Sequence, residues 1–352
     1  MKEICYICAF NSSAKISYYQ DYFENFRDLG VTSINLALGQ KTLNYLKLFL
    51  VLKNFQKVIF GYSFFYGFDR RKYSKLLKYF LKKYNLRNNI FFMENEYRLL
   101  NKKINLANYL YCSKITTQLP LQNAKILYHE NYIGKIVEFP HACNSNILSQ
   151  LKGFDERQID IGCRSDPYPP YLGDSLRNDF IDLFKSPMFE NFKVDVKSGR
   201  ESRFNREGWL NFLTSCKFTI ATEAGAYHVD YDDSLRLKVL EYLKKYPDTS
   251  TSSINELFFR DIKFPLSGKC ISPRHFDAVT TNTCQILLEG DYNGILKPNV
   301  HYIEIKKDLS NLSSAKEKMM SIDYCNKIIK QARRDIFKNH TVKKRVETLL
   351  KE

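Results

Sequence analysis

The sequence predicts an α/β protein with two parallel sheets, and three observations carry this prediction. Short apolar runs alternate with helical patterns of about ten to fifteen residues, as in successive βαβ units. The 352 residues are more than one core needs and suit two domains of ordinary size. Hydrophobic residues make up 44% of the chain, which is ample for two packed interiors.

The first half shows this alternation element by element. Apolar runs predict strands at 4–10, 33–38, 57–62 and 89–93. Helical patterns fill the spaces between them, at 18–29, 42–53 and 69–84. Asp69 is the predicted N-cap of the third helix, because its carboxylate accepts from free N–H groups of the first turn. These segments form a first Rossmann-like domain, predicted to span residues 1–155.

The second half repeats the pattern. Strands are predicted at 159–163, 192–196, 218–222 and 301–305, and helices at 175–184, 206–215 and 235–246. Helices follow from residue 312 to the end, with a break at 339–341. We predict a boundary near residues 145–158, a second Rossmann-like domain at 156–312, and terminal helices at 313–352.

Charge is distributed unevenly along the chain. The net charge is +16, and residues 1–155 hold 22 Lys and Arg against 10 Asp and Glu, whereas residues 156–352 hold 32 against 28. An excess of this kind indicates an anionic partner for the first half: a membrane surface, an anionic acceptor or nucleic acid. The alternative interpretation is a lysine-rich solvated surface.

Cysteine usage and hydropathy indicate the compartment. Nine scattered cysteines, an odd number, are typical of free thiols in a reducing environment. Cys5 and Cys8 have the spacing of half a metal site, but no second CxxC completes it, so a buried strand is predicted. No signal peptide is recognisable, and no apolar run reaches the ~18 residues that a membrane span needs. The expected location is the cytoplasm.

One stretch, "ISPRHFDAVTTNTCQILLEGDYNG" (271–294), suggests a ligand. It predicts a short helix that leads into a strand, and the strand stops at Glu289 and Gly290. Arg274 and Asp277 stand at the start of that helix. Helix starts favour anions, and the carboxyl ends of parallel strands hold ligands. A phosphate-bearing ligand is therefore predicted here.

Three stretches of the second half resemble a known family. They are "DIGCRSDPYPPYLGD" (160–174), "WLNFLTSCKFTIATEAGAYHVDYDDS" (209–234) and "ISPRHFDAVTTNTCQILLEGDYNGILKPNVHYIEIKKDLSNL" (271–312). Together they resemble bacterial family-1-like glycosyltransferases of the GT-B architecture, which serve surface polysaccharide or lipopolysaccharide synthesis. The resemblance implies two Rossmann-like domains facing a cleft, with the terminal helices crossing back to the first domain. It also implies a nucleotide-sugar donor in the second domain, a glycan or lipid-linked glycan acceptor in the first, and no metal or other cofactor.

The resemblance assigns donor contacts. Arg274 is expected to bind the donor phosphates, and Asp277 the ribose hydroxyls, where the retaining enzymes of the family have glutamate. Arg164 matches a position that places a basic residue against the diphosphate. Glu289 and Gly290 are expected near the donor. The alternatives are a helix-capping salt bridge for Arg274 and Asp277 and a hinge loop after Arg164.

A second strand end, "TEAGA", supplies a candidate for the chemistry. Glu223 is expected to bind the donor sugar or to act in catalysis, and Gly225 to let backbone amides approach the ligand. The aspartates that follow favour a divalent metal as an alternative, but their spacing does not define a coordination set. They are Asp230, Asp232 and Asp233.

A direct displacement needs a base for the acceptor hydroxyl. His129 and His141 lie near the predicted domain boundary and are the candidates, with Glu130 as a competitor and a structural role as the alternative for each. His275 and His301 are expected to pack around the donor. Inverting and retaining chemistry both remain open.

The predicted helix 69–84 divides into two faces. An apolar stripe is expected to pack on the first sheet, which leaves a lysine face outside. We expect Lys75, Lys78, Lys82 and Lys83 to face anionic lipid of the inner membrane leaflet. The alternative is that these charges only keep the protein in solution.

These observations predict an enzyme that transfers a sugar from a nucleotide sugar to a cell-surface or lipid-linked glycan, in the cytoplasm or peripherally on the inner membrane. Two alternatives belong to other classes. A nucleic-acid-binding protein would explain the basic first half, but the sequence has no RNP-type motif, zinc finger or recognisable helix-turn-helix. A GT-B protein that binds a glycan or acts as a scaffold without catalysis is the second alternative.

Overall fold

The computed structural model describes residues 3–11, 18–37, 41–145 and 151–351, except the side chains of Lys41 and Arg200. The chain forms two compact units. Unit 1 comprises Met1–Pro140, Val229–Ser234 and Arg345–Glu352, and unit 2 comprises His141–His228 and Leu235–Lys344. The predicted boundary near residues 145–158 lies partly at 146–150, outside the described residues.

Unit 1 contains a six-stranded parallel sheet in the order β2-β1-β3-β4-β5-β6. Its strands are β1 (Ile4–Cys8), β2 (Thr32–Asn35), β3 (Lys57–Phe60), β4 (Asn89–Phe92), β5 (Cys112–Thr117) and β6 (Lys135–Glu138). Its helices are α1 (Tyr18–Asp28), α2 (Lys41–Val51), α3 (Phe64–Gly67), α4 (Arg70–Lys83), α5 (Leu100–Tyr109) and α6 (Leu121–Tyr128). The predicted alternation of strand and helix in the first half is confirmed.

The buried centre of unit 1 explains the N-terminal cysteines. β1 lies between β2 and β3, and Cys5 and Cys8 are both 0% exposed. The prediction of a buried strand rather than a metal half-site is confirmed. All nine cysteines of the chain are free and buried, as the sequence indicates.

Unit 2 contains a five-stranded parallel sheet in the order β11-β10-β9-β7-β8. Its strands are β7 (Ile159–Ser165), β8 (Val194–Ser198), β9 (Cys216–Ala221), β10 (Cys284–Leu288) and β11 (Ile303–Ile305). Helices α7 (Leu176–Leu183), α8 (Arg206–Thr214), α9 (Ser234–Lys245), α10 (Thr251–Phe258) and α11 (Pro273–Thr280) lie between them. Ile161, Ile220, Ile286 and Ile303 meet in one core on this sheet.

Three helices complete the chain: α12 (Leu312–Met320), α13 (Ile322–Asn339) and α14 (Val342–Lys351). The predicted break at 339–341 is confirmed, because α13 ends at Asn339 and α14 begins at Val342. The backbone there pairs with Cys143, whose N–H donates to the His340 carbonyl at 2.8 Å. Within the described parts of the chain, no helix is both long and apolar enough to cross a membrane.

The N-cap predicted from sequence is also confirmed. Asp69 precedes α4, and its Oδ1 accepts from the Lys72 backbone N–H at 3.2 Å. The stretch between residues 100 and 138, where no element was predicted, holds two strands and two helices, and α10 was also missed. Polar residues dilute the periodicity in these segments, so neither a strand nor a helix pattern stands out.

Candidate functional site

The carboxyl ends of β7, β9 and β10 lie at one edge of the unit 2 sheet, because all three strands run parallel. Helix α11 leads into the amino end of β10, so its first turn lies at that same edge. Three residues predicted from sequence therefore share this edge. They are Arg164 at the end of β7, Glu223 just after β9, and Arg274 in the first turn of α11.

Arg274 follows the N1 proline of α11 and is half-buried. Among the described residues, no acceptor hydrogen-bonds to its guanidinium and no carboxylate forms an ion pair with it. Burial lowers the pKa of Arg274 from its ordinary value, and repulsion from the nearby Arg177 and Arg203 guanidinium groups adds to this effect. A charged group that is partly desolvated and unpaired at a helix start favours an anionic ligand.

Arg177, in the first turn of α7, was missed by the sequence analysis. Its Nε donates to Thr222 Oγ1 at 3.2 Å and its Nη2 to the Glu223 carbonyl at 3.0 Å. The guanidinium carbon lies 3.7 Å from the centre of the Tyr168 ring. These neutral contacts fix the guanidinium but leave its charge uncompensated. An arginine just after the proline-rich loop 165–173 was the available signal.

Two further cations border the same position, and each has a carboxylate partner. Arg203 pairs with Asp166, and Lys269 with Asp174. Burial lowers the pKa of Lys269 to about 8, and its Nζ lies 5.3 Å from the centre of the Tyr168 ring. We name Arg177, Arg203, Lys269 and Arg274 the cationic cluster. Among the described residues, Arg177 and Arg274 form no ion pair with a carboxylate, so the cluster retains positive charge.

Arg164 lies at the same edge, but its guanidinium makes its contacts within the protein. It is 6% exposed, and its Nη2 pairs with Asp195 Oδ2 at 2.7 Å. Its Nη1 donates to the carbonyls of Asp195 at 2.7 Å and Cys163 at 2.9 Å. The guanidinium also lies 4.2 Å from the centre of the Phe212 ring. These contacts tie β7 to β8, and a diphosphate contact from Arg164 stays a prediction.

Asp277 joins two helices. Its Oδ1 accepts from Arg206 Nη1 at 2.7 Å, and its Oδ2 accepts from Trp209 Nε1 at 3.0 Å, which ties α11 to α8. The carboxylate is almost completely buried. A carboxylate has about four acceptor sites, so contact with ribose hydroxyls is compatible with these bonds and stays a prediction.

We expect Asp277→Ala to lower the free energy of unfolding of unit 2 by about 2 kcal/mol, because it removes the hydrogen bonds that the carboxylate accepts from Arg206 and Trp209. Urea unfolding followed by Trp209 fluorescence reports this loss, since Trp209 is the sole tryptophan of the chain. Asp182→Ala, which removes an exposed ion pair with Lys185, should cost no more than about 0.5 kcal/mol. Equal losses of unfolding free energy in the two variants would contradict the role of Asp277 in joining α11 to α8.

Affinities for two ligands separate this structural role from ribose binding. If Asp277 contacts the ribose, Asp277→Asn weakens binding of a nucleoside diphosphate but leaves binding of pyrophosphate, which has no ribose, unchanged. A parallel loss for both ligands would attribute the effect to a displaced α11.

Glu223 fixes the turn that follows β10. Its Oε1 accepts from the Tyr292 backbone N–H at 2.8 Å, and burial raises the pKa of its carboxyl group. A Cβ atom at Gly290 would lie 2.7 Å from Glu223 Oε2, so a side chain at position 290 would displace the Glu223 carboxylate. Glu289 is exposed, and its Oε2 accepts from the Lys307 backbone N–H at 3.3 Å. Glu223 and Gly290 are thus adjacent at the strand ends.

Gly225 has a backbone role. Its φ is +95°, and a Cβ atom there would lie 1.8 Å from the Gly268 carbonyl oxygen. The approach is held by a bridge in which the Ala224 N–H donates to the Cys270 carbonyl at 2.8 Å and the Cys270 N–H donates back at 3.0 Å. This bridge positions the segment that carries Lys269. Direct contact between Gly225 and a ligand stays a prediction.

His275 is enclosed in unit 2. The Ser272 backbone N–H lies 3.0 Å from its Nδ1, and its Nε2 is buried and has no hydrogen-bond partner among the described residues. Its ring packs edge-on against Tyr292, with 5.1 Å between ring centres. Burial lowers the pKa of His275 to about 3. His301, in contrast, contacts Asp335 of α13 at 3.1 Å.

The folded-state pKa of His275 lies below its ordinary value of 6.5, so the unfolded chain binds a proton that the folded protein excludes. This contribution to stability is complete above pH 6.5 and is lost as the pH falls toward about 3. We expect the stability that His275 contributes to fall by roughly 2 kcal/mol between pH 7 and pH 5. His275→Asn should reduce the pH dependence of urea unfolding by that amount, whereas the exposed His129→Asn should not. If the free energy of unfolding of His275→Asn depends on pH as strongly as that of the unmodified protein, this expectation is contradicted.

The candidate bases differ in environment. His141 is 5% exposed, and burial lowers its pKa to about 3, so its imidazole is neutral and weakly basic at pH 7. His129 and Glu130 are exposed at the end of α6. A catalytic role for either histidine stays a prediction.

The aspartates after β9 accept hydrogen bonds from the protein, two of them locally and one from a distant helix start. Asp233 Oδ2 accepts from the Leu99 N–H at 2.7 Å, and Asp232 Oδ1 from the Ser234 N–H at 3.0 Å. Asp230 Oδ2 accepts from Ser234 Oγ at 3.1 Å. In the described ranges, no group of histidine, cysteine and acidic side chains has the geometry to hold a metal ion.

The lysines of α4 are not equivalent. Lys75, Lys82 and Lys83 are exposed, whereas Lys78 is partly buried with its Nζ 4.0 Å from the centre of the Tyr109 ring. The apolar stripe of α4 is buried at Leu77 and Leu81. The prediction that the whole stripe packs inward is wrong at Leu76, which is 40% exposed.

The two units, each built on a parallel sheet, are those of the GT-B fold. The candidate ligand site lies at the strand ends of the second unit. Anabaena HepE, solved in complex with UDP and glucose, has a TM-score of 0.56 at 7% identity, over 100% of this chain and 99% of that chain. An alpha-glucosyltransferase, solved with UDP-glucose and DNA containing an abasic site, has a TM-score of 0.60 at 10% identity, over 99% and 98%. Sucrose-phosphate synthase from Thermosynechococcus elongatus has a TM-score of 0.54 at 8% identity, again over 99% and 98%.

No protein-family model and no curated protein matches the sequence. At identities of 7–10%, the solved structures show the fold alone. They cover the chain from end to end, so the GT-B fold expected from three short stretches of the second half is confirmed for the whole chain.

Proposed function

We propose that the protein is a glycosyltransferase that uses a nucleotide sugar as donor. The observation that carries this proposal is the cationic cluster at the carboxyl edge of the unit 2 sheet. There Arg274 lies beside Arg177. Within the described parts of the chain, Arg274 has no ion-pair partner and Arg177 hydrogen-bonds to neutral groups alone. HepE and the alpha-glucosyltransferase, which share the fold, are proteins solved with UDP-glucose or its parts, and this supports the same donor class here.

A diphosphate suits the cluster chemically. Guanidinium groups present fixed pairs of N–H donors that match phosphate oxygens, and they stay charged at any physiological pH. The first turn of α11 adds the positive end of the helix dipole to the same position. Arg177 and Arg274 would bind the donor diphosphate and stabilise the charge that develops on it as the glycosidic bond to the phosphate breaks.

Glu223 is the proposed contact for the donor sugar. It follows β9 directly, and its Oε1 already fixes the turn after β10. A side chain fixed by one oxygen presents the other in a defined direction, which is what orientation of a sugar hydroxyl requires. Burial raises the pKa of its carboxyl group, as is common for residues at functional sites.

The proposed acceptor is a cell-surface glycan or a lipid-linked glycan. The excess of positive charge in residues 1–155, 22 against 10, supports an anionic acceptor or an anionic surface near it. We propose no metal or other cofactor, because the guanidinium groups of the cluster supply the positive charge that the leaving diphosphate needs.

Calorimetric titration with nucleoside diphosphates tests this function. UDP, GDP, dTDP and CDP are titrated into the full chain, with single-stranded and duplex DNA as competitors for the basic first half. We expect micromolar to millimolar affinity for at least one diphosphate and no competition from DNA. Binding of DNA with no binding of any diphosphate would overturn the proposal and support the nucleic-acid alternative.

A further inference from the structure

A face of unit 1 formed by α2 and α4 combines exposed leucines with lysines. We name it the α2–α4 face and define it by Leu43, Leu46 and Leu50 of α2 and by Leu76 and Tyr79 of α4. Leu46, Leu50 and Tyr79 are 54%, 70% and 56% exposed, respectively. Single exposed leucines are common on protein surfaces, but a group on two adjacent helices indicates an interaction site.

Aromatic contacts hold the two helices side by side. The rings of Tyr45 and Tyr73 stack with 3.9 Å between their centres, and those of Phe49 and Phe80 with 5.2 Å. The Tyr45 hydroxyl also accepts from the Asp69 backbone N–H at 2.9 Å, at the start of α4. The inner sides of both helices are therefore fixed, and the exposed leucines are presented from a rigid base.

The leucines of α2 follow one stripe. Leu43, Leu46 and Leu50 recur at i, i+3 and i+7, which is one side of a helix, whereas Tyr45 and Leu48, on the other side, are 4% and 0% exposed. The helix is therefore apolar on its inner side and on part of its outer side. A helix that only covers a sheet needs one apolar side.

The charges on this face all have one sign. Helices α2 and α4 contain no aspartate or glutamate in the sequences KTLNYLKLFLV and RRKYSKLLKYFLKK. Their exposed cations include Lys47, Lys72, Lys75, Lys82 and Lys83. Exposed apolar side chains on helices whose charges are all positive match the interface of an anionic bilayer, where leucines enter the acyl boundary and ammonium groups reach the phosphates.

We propose that the α2–α4 face binds an anionic lipid bilayer, with Leu46 and Leu50 of α2 inserted at the level of the headgroups. This goes beyond attraction of the α4 lysines alone, because it assigns the apolar contribution to α2. The proposal does not depend on the chemistry at the unit 2 sheet, and failure of either leaves the other intact.

Vesicle co-sedimentation of the full chain tests the proposal. Vesicles of phosphatidylcholine with about 30% phosphatidylglycerol should bind the protein at low salt. Leu46→Ser with Leu50→Ser should lower the partition coefficient at least about tenfold. Lys75→Gln, Lys82→Gln and Lys83→Gln should each lower it about fivefold at low salt. The matched control is Leu237→Ser with Leu257→Ser, which replaces two leucines of similar exposure in unit 2 and should leave it unchanged.

Insertion has its own readout. All nine native cysteines are buried, so Leu50→Cys creates a single accessible thiol for an environment-sensitive dye. The dye at position 50 should shift to the blue on vesicles and be quenched by spin-labelled lipid, whereas the dye on Leu237→Cys should not respond.

Three results would overturn the proposal. The first is absence of vesicle binding at low salt. The second is full binding by Leu46→Ser with Leu50→Ser, because electrostatic attraction would then account for all of the binding. The third is a self-association of the chain that these leucine substitutions abolish without changing vesicle binding, since the face would then be covered by a second copy. Circular dichroism and the midpoint of urea unfolding of the same variants show that each is folded.

Discussion

Arg274→Ala should lower the affinity for the preferred nucleoside diphosphate about 10- to 150-fold. The loss corresponds to about 1.5–3 kcal/mol, the range for a hydrogen bond with a charged group. The reason is that Arg274 has no acceptor of its own among the described residues, so its whole donor capacity is available to the ligand. Calorimetric titration gives the affinity directly.

Two variants control this experiment. Arg274→Lys keeps the charge but loses the paired N–H geometry, and it should recover part of the affinity. Arg260→Ala removes an exposed arginine of unit 2 that already pairs with Glu256 and Asp261, and it should bind the diphosphate as the unmodified protein does. Unchanged affinity in a folded Arg274→Ala variant would remove Arg274 from the site.

Gly225→Ala should destabilise unit 2 by about 3 kcal/mol or more. Alanine is strained at φ +95°, and its Cβ would overlap the Gly268 carbonyl oxygen, so the bridge between Ala224 and Cys270 must open. The midpoint of urea unfolding, followed by Trp209 fluorescence, should fall accordingly.

Gly294→Ala is the matched control for this substitution. Gly294 has φ +64°, but a Cβ atom there would meet nothing within 4 Å. It should therefore cost only the backbone strain, about 1 kcal/mol. Equal losses in the two variants would show that the approach to Gly268 is not what requires glycine at position 225.

The sequence predicted the sheets well because their strands carry strong local signals. The buried strand β1 is a continuous apolar run, and β10 is interrupted only by Gln285. Asp69 and the break at 339–341 delimit helices by local hydrogen bonding. The region from α5 to β6 was missed, because its polar and apolar residues follow neither period clearly. The local sequence pattern therefore predicts whether a segment is a strand or a helix where that segment is completely buried.

The candidate site was predicted only in part, for a different reason. Arg274 stood out because a helix start and a strand end are both readable from sequence. Arg177 did not, since its importance depends on the ring of Tyr168 and the carbonyl of Glu223, which only the fold brings to it. Arg164 shows the converse: its position was predicted, but not its ion pair with Asp195 on the neighbouring strand. Contacts across strands and helices depend on tertiary structure and leave no local signal.

The chemistry is tested most directly by release of the nucleoside diphosphate from nucleotide sugars. The full chain is incubated with a panel of UDP-, GDP-, dTDP- and CDP-sugars, with and without a bacterial glycan extract, and the released diphosphate is quantified. We predict slow release from one donor class, acceleration by the extract, and loss of both in the variant Arg177→Ala with Arg274→Ala. Diphosphate binding without release from any donor, in the presence of acceptor, would contradict a transferase and leave a non-catalytic GT-B protein.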